Sequence, residues 1–289
     1  MKAVRIGVVG HFVWFANHFP EGWRTDSNVL CLDVDEGDYS FLVHLINFRP
    51  DITLFYRPEL YPKRYIDAIS GLKIGILSEP VPATINEQLL TSSETDLRMR
   101  VYSNMNWDAY HKLIYYDVSK RETIERLGWP IDSFHPLPID TDLFNPRRRD
   151  RPIDVCFVGK ATAHRIEVLD FLRLAPVRFV WVAHGTSGRE LAWLFRRSKV
   201  VINIHADALP ALEPRILLAA ACGCIVLSEP IPGEPWPFND RVHIFGSDFG
   251  MREIKKAIAE FESTVEDVIL SERHLQLSTR GLIHREMRD

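Results

Sequence analysis

The stretch Pro130-Ile-Asp-Ser-Phe-His-Pro136-Leu-Pro138-Ile-Asp140-Thr-Asp142-Leu-Phe144-Asn-Pro146-Arg-Arg-Arg-Asp-Arg-Pro152 lies near the middle of the chain and carries five prolines. Each proline removes a backbone donor and fixes φ, so no long helix or inner strand runs through this segment. It reads as a linker between two domains. The chain has 289 residues, more than one ordinary core, and suits two domains of about 100–150 residues each. The expected division is 1–146 and 147–289.

Working outward, the same pattern stands on both sides. Upstream, apolar runs at 4–9, 29–34, 52–56, 73–77 and 112–116 read as strands. Helical stretches fall at 39–47 and 63–69, and a longer polar helix is expected from about Thr84. Downstream, strands are expected at 153–158, 178–182, 200–204, 224–227 and 242–245. Helices are expected at 164–174, 188–197, 215–221 and 251–261, with a charged helical tail from Ser263. Repeated strand–helix alternation argues for parallel sheets. The fold class is therefore α/β, with two Rossmann-like domains facing across a cleft. Ligands in such sheets bind at the carboxyl ends of the strands.

Composition narrows the function classes. Hydrophobic residues make up 46% and charged residues 26%, a globular balance, and the net charge is −4. That charge does not suit a nucleic-acid binder. The start, Met1-Lys-Ala-Val-Arg-Ile-Gly-Val-Val-Gly10-His11, has one lysine, one arginine and an apolar run. Gly10 and His11 interrupt it and no small-residue cleavage site follows, so a buried first strand is expected rather than a signal peptide. No window of about 18 uninterrupted apolar residues occurs, and no transmembrane helix is expected. Cys31, Cys156, Cys222 and Cys224 all lie in apolar runs. The last two are spaced wrongly for zinc, and reduced core thiols in a cytoplasmic protein are the plain reading.

Four segments in order resemble one family. Pro138-Ile-Asp140-Thr-Asp142-Leu-Phe144-Asn-Pro146 resembles the interdomain signature of GT-B glycosyltransferases. Asp154-Val-Cys-Phe-Val-Gly159-Lys160 looks like the opening of their donor-binding domain. Ser198-Lys-Val-Val-Ile-Asn203-Ile-His205 and Glu213-Pro-Arg215-Ile-Leu-Leu218-Ala-Ala-Ala-Cys-Gly223 through Ser228-Glu229 resemble a block of family-4-like and spore-maturation-type (CgeB-like) members. The resemblance implies a metal-independent transferase whose partners are a nucleotide-diphosphate sugar donor and an unidentified acceptor, with no resident cofactor. Many such enzymes carry a ribose-binding Glu where this chain has Leu218. Glu213 or Glu229 is expected to replace it.

Candidate site residues follow from the chemistry. A leaving diphosphate is neutralised without metal by helix N-termini and basic side chains. Gly159, Lys160 and Arg165 stand between a strand and a helix and suit that role, against the plain reading of a solvated loop. Gly185, in Gly185-Thr-Ser-Gly188, offers exposed amides or an ordinary loop. Asn203 and His205 end a strand, as donor contacts or as satisfied core groups. Arg215 opens an apolar helix, where a cation needs an anionic partner. Glu213, Glu229 or a donor phosphate would serve. In the first domain His11, His18 and Glu79 are the candidate catalytic groups, since His titrates near neutrality.

Two Asp-x-Asp strings, Asp33/Asp35 and Asp140/Asp142, are weak metal signals, and no metal site is expected. Two other functions compete. One is a catalytically inactive nucleotide- or sugar-binding relative, which Leu218 keeps open. The other is a dinucleotide-dependent oxidoreductase, which the missing glycine after Gly7-Val-Val-Gly10 disfavours.

Overall fold

The computed structural model describes residues 3–35, 37, 39–40, 42–147, 150–207, 209–231, 238–263 and 277–287. It divides into two compact units, Met1–Leu137 and Pro138–Asp289.

The first unit is built on a parallel sheet: β1 (Ile6–Gly10), β2 (Val29–Asp33), β3 (Ile52–Tyr56), β4 (Leu72–Leu77), β7 (Lys112–Tyr115) and β8 (Ser133–Phe134). Strand order is β2-β1-β3-β4-β7-β8. All five residues of β3 are buried, as expected for an inner strand of a parallel sheet. The helices between strands are α1 (Phe12–Phe15), α2 (Leu42–Phe48), α3 (Lys63–Ala68), α4 (Ser93–Tyr102) and α5 (Arg121–Leu127). Gly71 is required by its turn. Its φ is +79°, and a Cβ there would sit 2.4 Å from the carbonyl oxygens of Pro50 and Asp51.

Two expectations change here. The polar segment from Thr84 is not one helix. It opens with an antiparallel hairpin, β5 (Ala83–Ile85) and β6 (Gln88–Leu90). The two turn residues Asn86 and Glu87 both have positive φ, 48° and 64°, the left-handed pair that a tight hairpin needs. The helix begins only at the Ser92 capping box with Thr95. The proline-rich segment also holds regular structure: β8 fits between Pro130 and Pro136 and pairs with β7.

The second unit carries β9 (Ile153–Val158), β10 (Phe179–Val182), β11 (Ser198–Asn203), β12 (Ile225–Ser228) and β13 (Val242–Ile244), again all parallel, in the order β10-β9-β11-β12-β13. Its helices are α6 (Ala163–Leu174), α7 (Gly188–Arg196), α8 (Pro214–Ala221), α9 (Met251–Ser263) and α10 (Thr279–Glu286). Of the expected tail, 264–276 lies outside the described residues.

The period of two along each strand explains the layers. Val155, Phe157, Val200, Ile202, Ile225 and Leu227 pack with Leu169 and Leu172 of α6 and Ile254 and Ala257 of α9. The intervening Cys156, Val201 and Val226 pack with α7 and α8 on the other face. Helices thus cover both faces of this sheet.

The units divide at Leu137/Pro138, upstream of the expected 146/147. The reason is packing. Ile139 and Phe144 are buried in the α7–α8 core, and the Ile139 amide donates to the Leu277 carbonyl at 2.8 Å. Among the described residues, no helix is long and apolar enough to cross a membrane. All four cysteines are free, and Cys156, Cys222 and Cys224 are buried. Burial pushes the Cys156 thiol up to about 12.

Candidate functional site

In the second sheet the strand order reverses between β9 and β11. Successive crossovers leave on opposite sides there, so a crevice opens at the strands' carboxyl ends. Gly159 leaves β9 at that point with φ +153°. Asn203 and His205 leave β11. Asn203 stands in register with Ser228 of β12 and donates to its hydroxyl at 2.9 Å.

Two guanidiniums meet at this point. Both lie over the Phe157 ring, Arg165 at 5.3 Å and Arg215 at 5.4 Å from the centroid. Arg215 donates to Asn203 Oδ1 at 3.0 Å and to the Ile204 carbonyl at 3.2 Å. Glu213 stands at the N-cap position of α8 and its carboxylate bridges the pair, 3.1 Å from Arg215 and 3.7 Å from Arg165. Burial, and then the neighbouring Arg215 charge, pull the Arg165 guanidinium down to about 10. Glu229 accepts from the His205 amide at 2.6 Å and faces His164 Nε2 at 2.8 Å.

The structure brings together Gly159, Arg165, Asn203, His205, Glu213, Arg215 and Glu229. It also corrects two roles. Arg165 is 4% exposed and turns inward. Its Nε donates to the Ile204 and His205 carbonyls, each at 3.0 Å, and its Nη1 to the Lys160 carbonyl at 3.0 Å. It braces the turn from beneath, while the Lys160 side chain is exposed. Gly185 follows β10 with φ +76° and nothing within 4 Å of a built Cβ. Among the described residues, no hydrogen bond ties it to the cluster. Leu218 is buried in the core. The ring of His205 is buried, with Nε2 against the Pro230 carbonyl at 2.9 Å. Among the described residues its Nδ1 has no partner, so with the proton on Nε2 it is an acceptor without a donor there.

The first sheet repeats the geometry. Its order reverses between β1 and β3, and a cavity of about 270 Å³ lies there, lined among others by His11, Trp14, Tyr39, Tyr56, Arg57 and Tyr61. Register pairs Gly10 with Asp33, which sets His11 beside the end of β2. His11 Nδ1 lies 3.5 Å from Asp33 and 3.8 Å from Asp35, and Asp33 also accepts from the Phe12 amide at 2.7 Å.

His18 and Glu79 are more enclosed than His11. His18 is 3% exposed, with its ring packed near Phe15 and Tyr56. Glu79 is held by Arg57 at 3.1 Å and Arg98 at 2.8 Å, one guanidinium on each carboxylate oxygen.

Sequence reasoning missed Arg57, which holds φ +58° and pairs with buried Glu59 at 3.0 Å. Burial pushes the Glu59 carboxyl up to about 7. It also missed Phe157 as the platform for two cations. The period-two pattern marked Phe157 as a core residue, but not which cations cover it. Asp140 accepts from the Asp142 amide at 3.1 Å in a turn. Among the described residues, no group of three or more His, Cys, Asp or Glu side chains is placed to hold a metal ion.

Residues 155–276 match the family described as glycosyl transferase-like. That stretch contains every residue of the second cluster. No curated protein matches the chain. Among solved structures, the chain is similar to TarM at 11% identity and TM-score 0.48, covering 86% of this chain and 57% of that one. It is also similar to the spinosyn forosaminyltransferase SpnP at 13% identity and TM-score 0.39, covering 99% and 95%. The chain thus spans 57% of the length of TarM.

Proposed function

We propose that this protein is a GT-B-type glycosyltransferase with two Rossmann-like domains. It moves a sugar from a nucleotide diphosphate to an acceptor hydroxyl, without a divalent cation. The observation that supports this most is the cluster at the order reversal of the second sheet. There a positive-φ glycine, two guanidiniums and a shared carboxylate lie within the glycosyl transferase-like stretch.

Departure of a nucleoside diphosphate builds negative charge on its terminal phosphate. Charge and amides fixed beforehand stabilise it without reorganisation. Exposed Lys160 and Arg215, 15% exposed at its side chain, supply that charge. Gly159 lets the backbone approach, and Arg165 holds the turn. Glu213 keeps about a fifth of its side chain exposed and accepts from the donor ribose while gripping Arg215. In the first unit His11 is the base. Asp33 and Asp35 lie 3.5 and 3.8 Å from Nδ1, leaving Nε2 to take the acceptor's proton.

Calorimetry with UDP, GDP, CDP, ADP and dTDP tests the donor site. One of them should bind, and Lys160→Ala with Arg215→Ala should weaken it more than tenfold, about 1.4 kcal/mol. His11→Asn should lower sugar release by about 10²–10⁴ at unchanged nucleotide affinity. Failure of every nucleotide to bind would refute the reading. Binding without hydrolysis of any nucleotide sugar would favour an inactive relative.

A further inference from the structure

The cavity at the order reversal of the first sheet says what the acceptor looks like. Tyr56 and Tyr61 form its base, and their hydroxyls are spent inside the protein. Tyr56 donates to the His18 carbonyl at 2.9 Å and Tyr61 to the Tyr56 carbonyl at 3.1 Å. Both side chains are buried, Tyr56 at 0% and Tyr61 at 3% exposure, so they close the floor and offer no hydroxyl donor. Trp14, 53% exposed, and half-buried Tyr39 stand above them. An indole held half in water is a surface that a ligand covers with gain.

Polar groups stand beside these rings. His11 lines the cavity, and the Asp33 and Asp35 carboxylates beside it are 56% and 91% exposed. The exposed Trp14 indole, with carboxylate acceptors close by against His11, matches a pyranose. Such a ring has an apolar C–H face and a hydroxyl edge, and a carboxylate accepts from two hydroxyls at once. An anionic ligand fits worse, because Arg57 Nε already lies 3.0 Å from Glu59 and 3.1 Å from Glu79. A phenolic ring would cover Trp14 and leave most carboxylate lone pairs to water. Size sets the number of rings. About 270 Å³ falls just below the roughly 300–1,000 Å³ of sites for drug-sized ligands, which suits one sugar.

We propose that this cavity binds a single neutral pyranose, the terminal residue of the acceptor, so that the enzyme extends an existing glycoside. The inference rests on the glycosyl-transfer reading above.

Saturation-transfer NMR on the full chain tests it, with methyl glycosides of glucose, galactose, mannose, rhamnose and N-acetylglucosamine, with phenol as the contrasting probe. At least one glycoside should receive saturation at its ring protons. Trp14→Ala should abolish this signal and Asp35→Asn should reduce it severalfold. Trp193→Ala, on the second unit, should leave it unchanged. Asp35 is almost wholly exposed, so its variant tests the site even if Trp14→Ala folds poorly.

Saturation reaching phenol but no glycoside, or a glycoside signal indifferent to both variants, overturns the inference. So does a signal on the sugar of a nucleotide sugar but on no free glycoside, which would make the ring the donor's. Nucleotide affinity is read on the same samples. Glycoside failure with nucleotide bound sinks this inference alone, whereas no nucleotide binding sinks the glycosyl-transfer reading.

Discussion

Replacing Arg165 by Met separates bracing from ligand contact. The substitution keeps an unbranched apolar stem over Phe157 and removes the guanidinium. The His205 and Lys160 carbonyls then lose their guanidinium donor, while Ile204, which shares Nε with His205, keeps Arg215. Counting the shared Nε once, two charge-assisted hydrogen bonds are lost, at about 1.5–3 kcal/mol each. Part is returned, because a buried cation beside the Arg215 charge disappears. A net loss of about 2–4 kcal/mol follows. For a unit of this size each kcal/mol moves Tm by about 2–4 °C, so the second unit should melt about 5–15 °C lower. Lys160→Ala, at an exposed side chain, should move stability by no more than about 0.5 kcal/mol while weakening nucleotide binding. Urea unfolding followed by circular dichroism, beside calorimetry with the nucleotide that binds wild type, reads both. A variant that melts within a degree or two of wild type, yet binds nucleotide tenfold more weakly, would show that Arg165 meets the ligand and not the carbonyls.

Three further outcomes are expected. Glu59, with its carboxyl raised by burial from 4.5 to about 7, keeps its proton in the folded chain while the unfolded chain loses it. Stability should therefore fall as pH rises from about 4.5 to 7, then level off. Glu59→Gln should remove roughly 1–3 kcal/mol of that dependence, and equal slopes for both proteins in urea titrations at pH 5 and 8 would contradict it. Gly159→Ala sets a Cβ 3.1 Å from the Phe157 ring and 3.3 Å from Arg165 Nη1. It should cost more stability than Gly185→Ala, whose Cβ meets open space, and the reverse order in thermal melts would count against the described turn. Asp154 is pulled down to about 2, chiefly by Arg178. That contribution is present above about pH 4 and lost toward pH 2, so Asp154→Asn should be destabilising at pH 7 and converge on wild type in acid. A constant difference across that range would refute the pairing.

Much of the architecture was legible in the residues themselves. Apolar runs of period two or fully apolar, separated by amphipathic stretches, are enough to announce parallel α/β units, because each strand needs covering on both faces. Ten of the strands lie where those runs are, and a proline-rich break stands where the units divide. The hairpin β5–β6 escaped because its turn is Asn86-Glu87, with no glycine to mark two left-handed residues. The strand β8 escaped because its flanking prolines read as interruption, although a two-residue strand fits between them.

The family resemblance and residue chemistry together nominated Gly159, Asn203, His205, Glu213, Arg215 and Glu229, since cations and carboxylates at strand ends and helix starts are rarely without consequence. Which way each one faces was not in the sequence. Arg165 and Lys160 looked alike as basic residues after β9, yet one lies under the turn and the other in solvent. Only the carbonyls of Lys160, Ile204 and His205, brought together from two strands, make the inward position favourable. Glu79 looked like a free carboxylate until β3 placed Arg57, and α4 placed Arg98, against it. His11 gains Asp33 only because β1 and β2 pair in parallel with Gly10 opposite Asp33. Local pattern determines which segments become strands and helices, because it depends on neighbours a few residues apart. The order in which strands pair is a tertiary outcome, and that order sets where each sheet reverses and which distant side chains meet there.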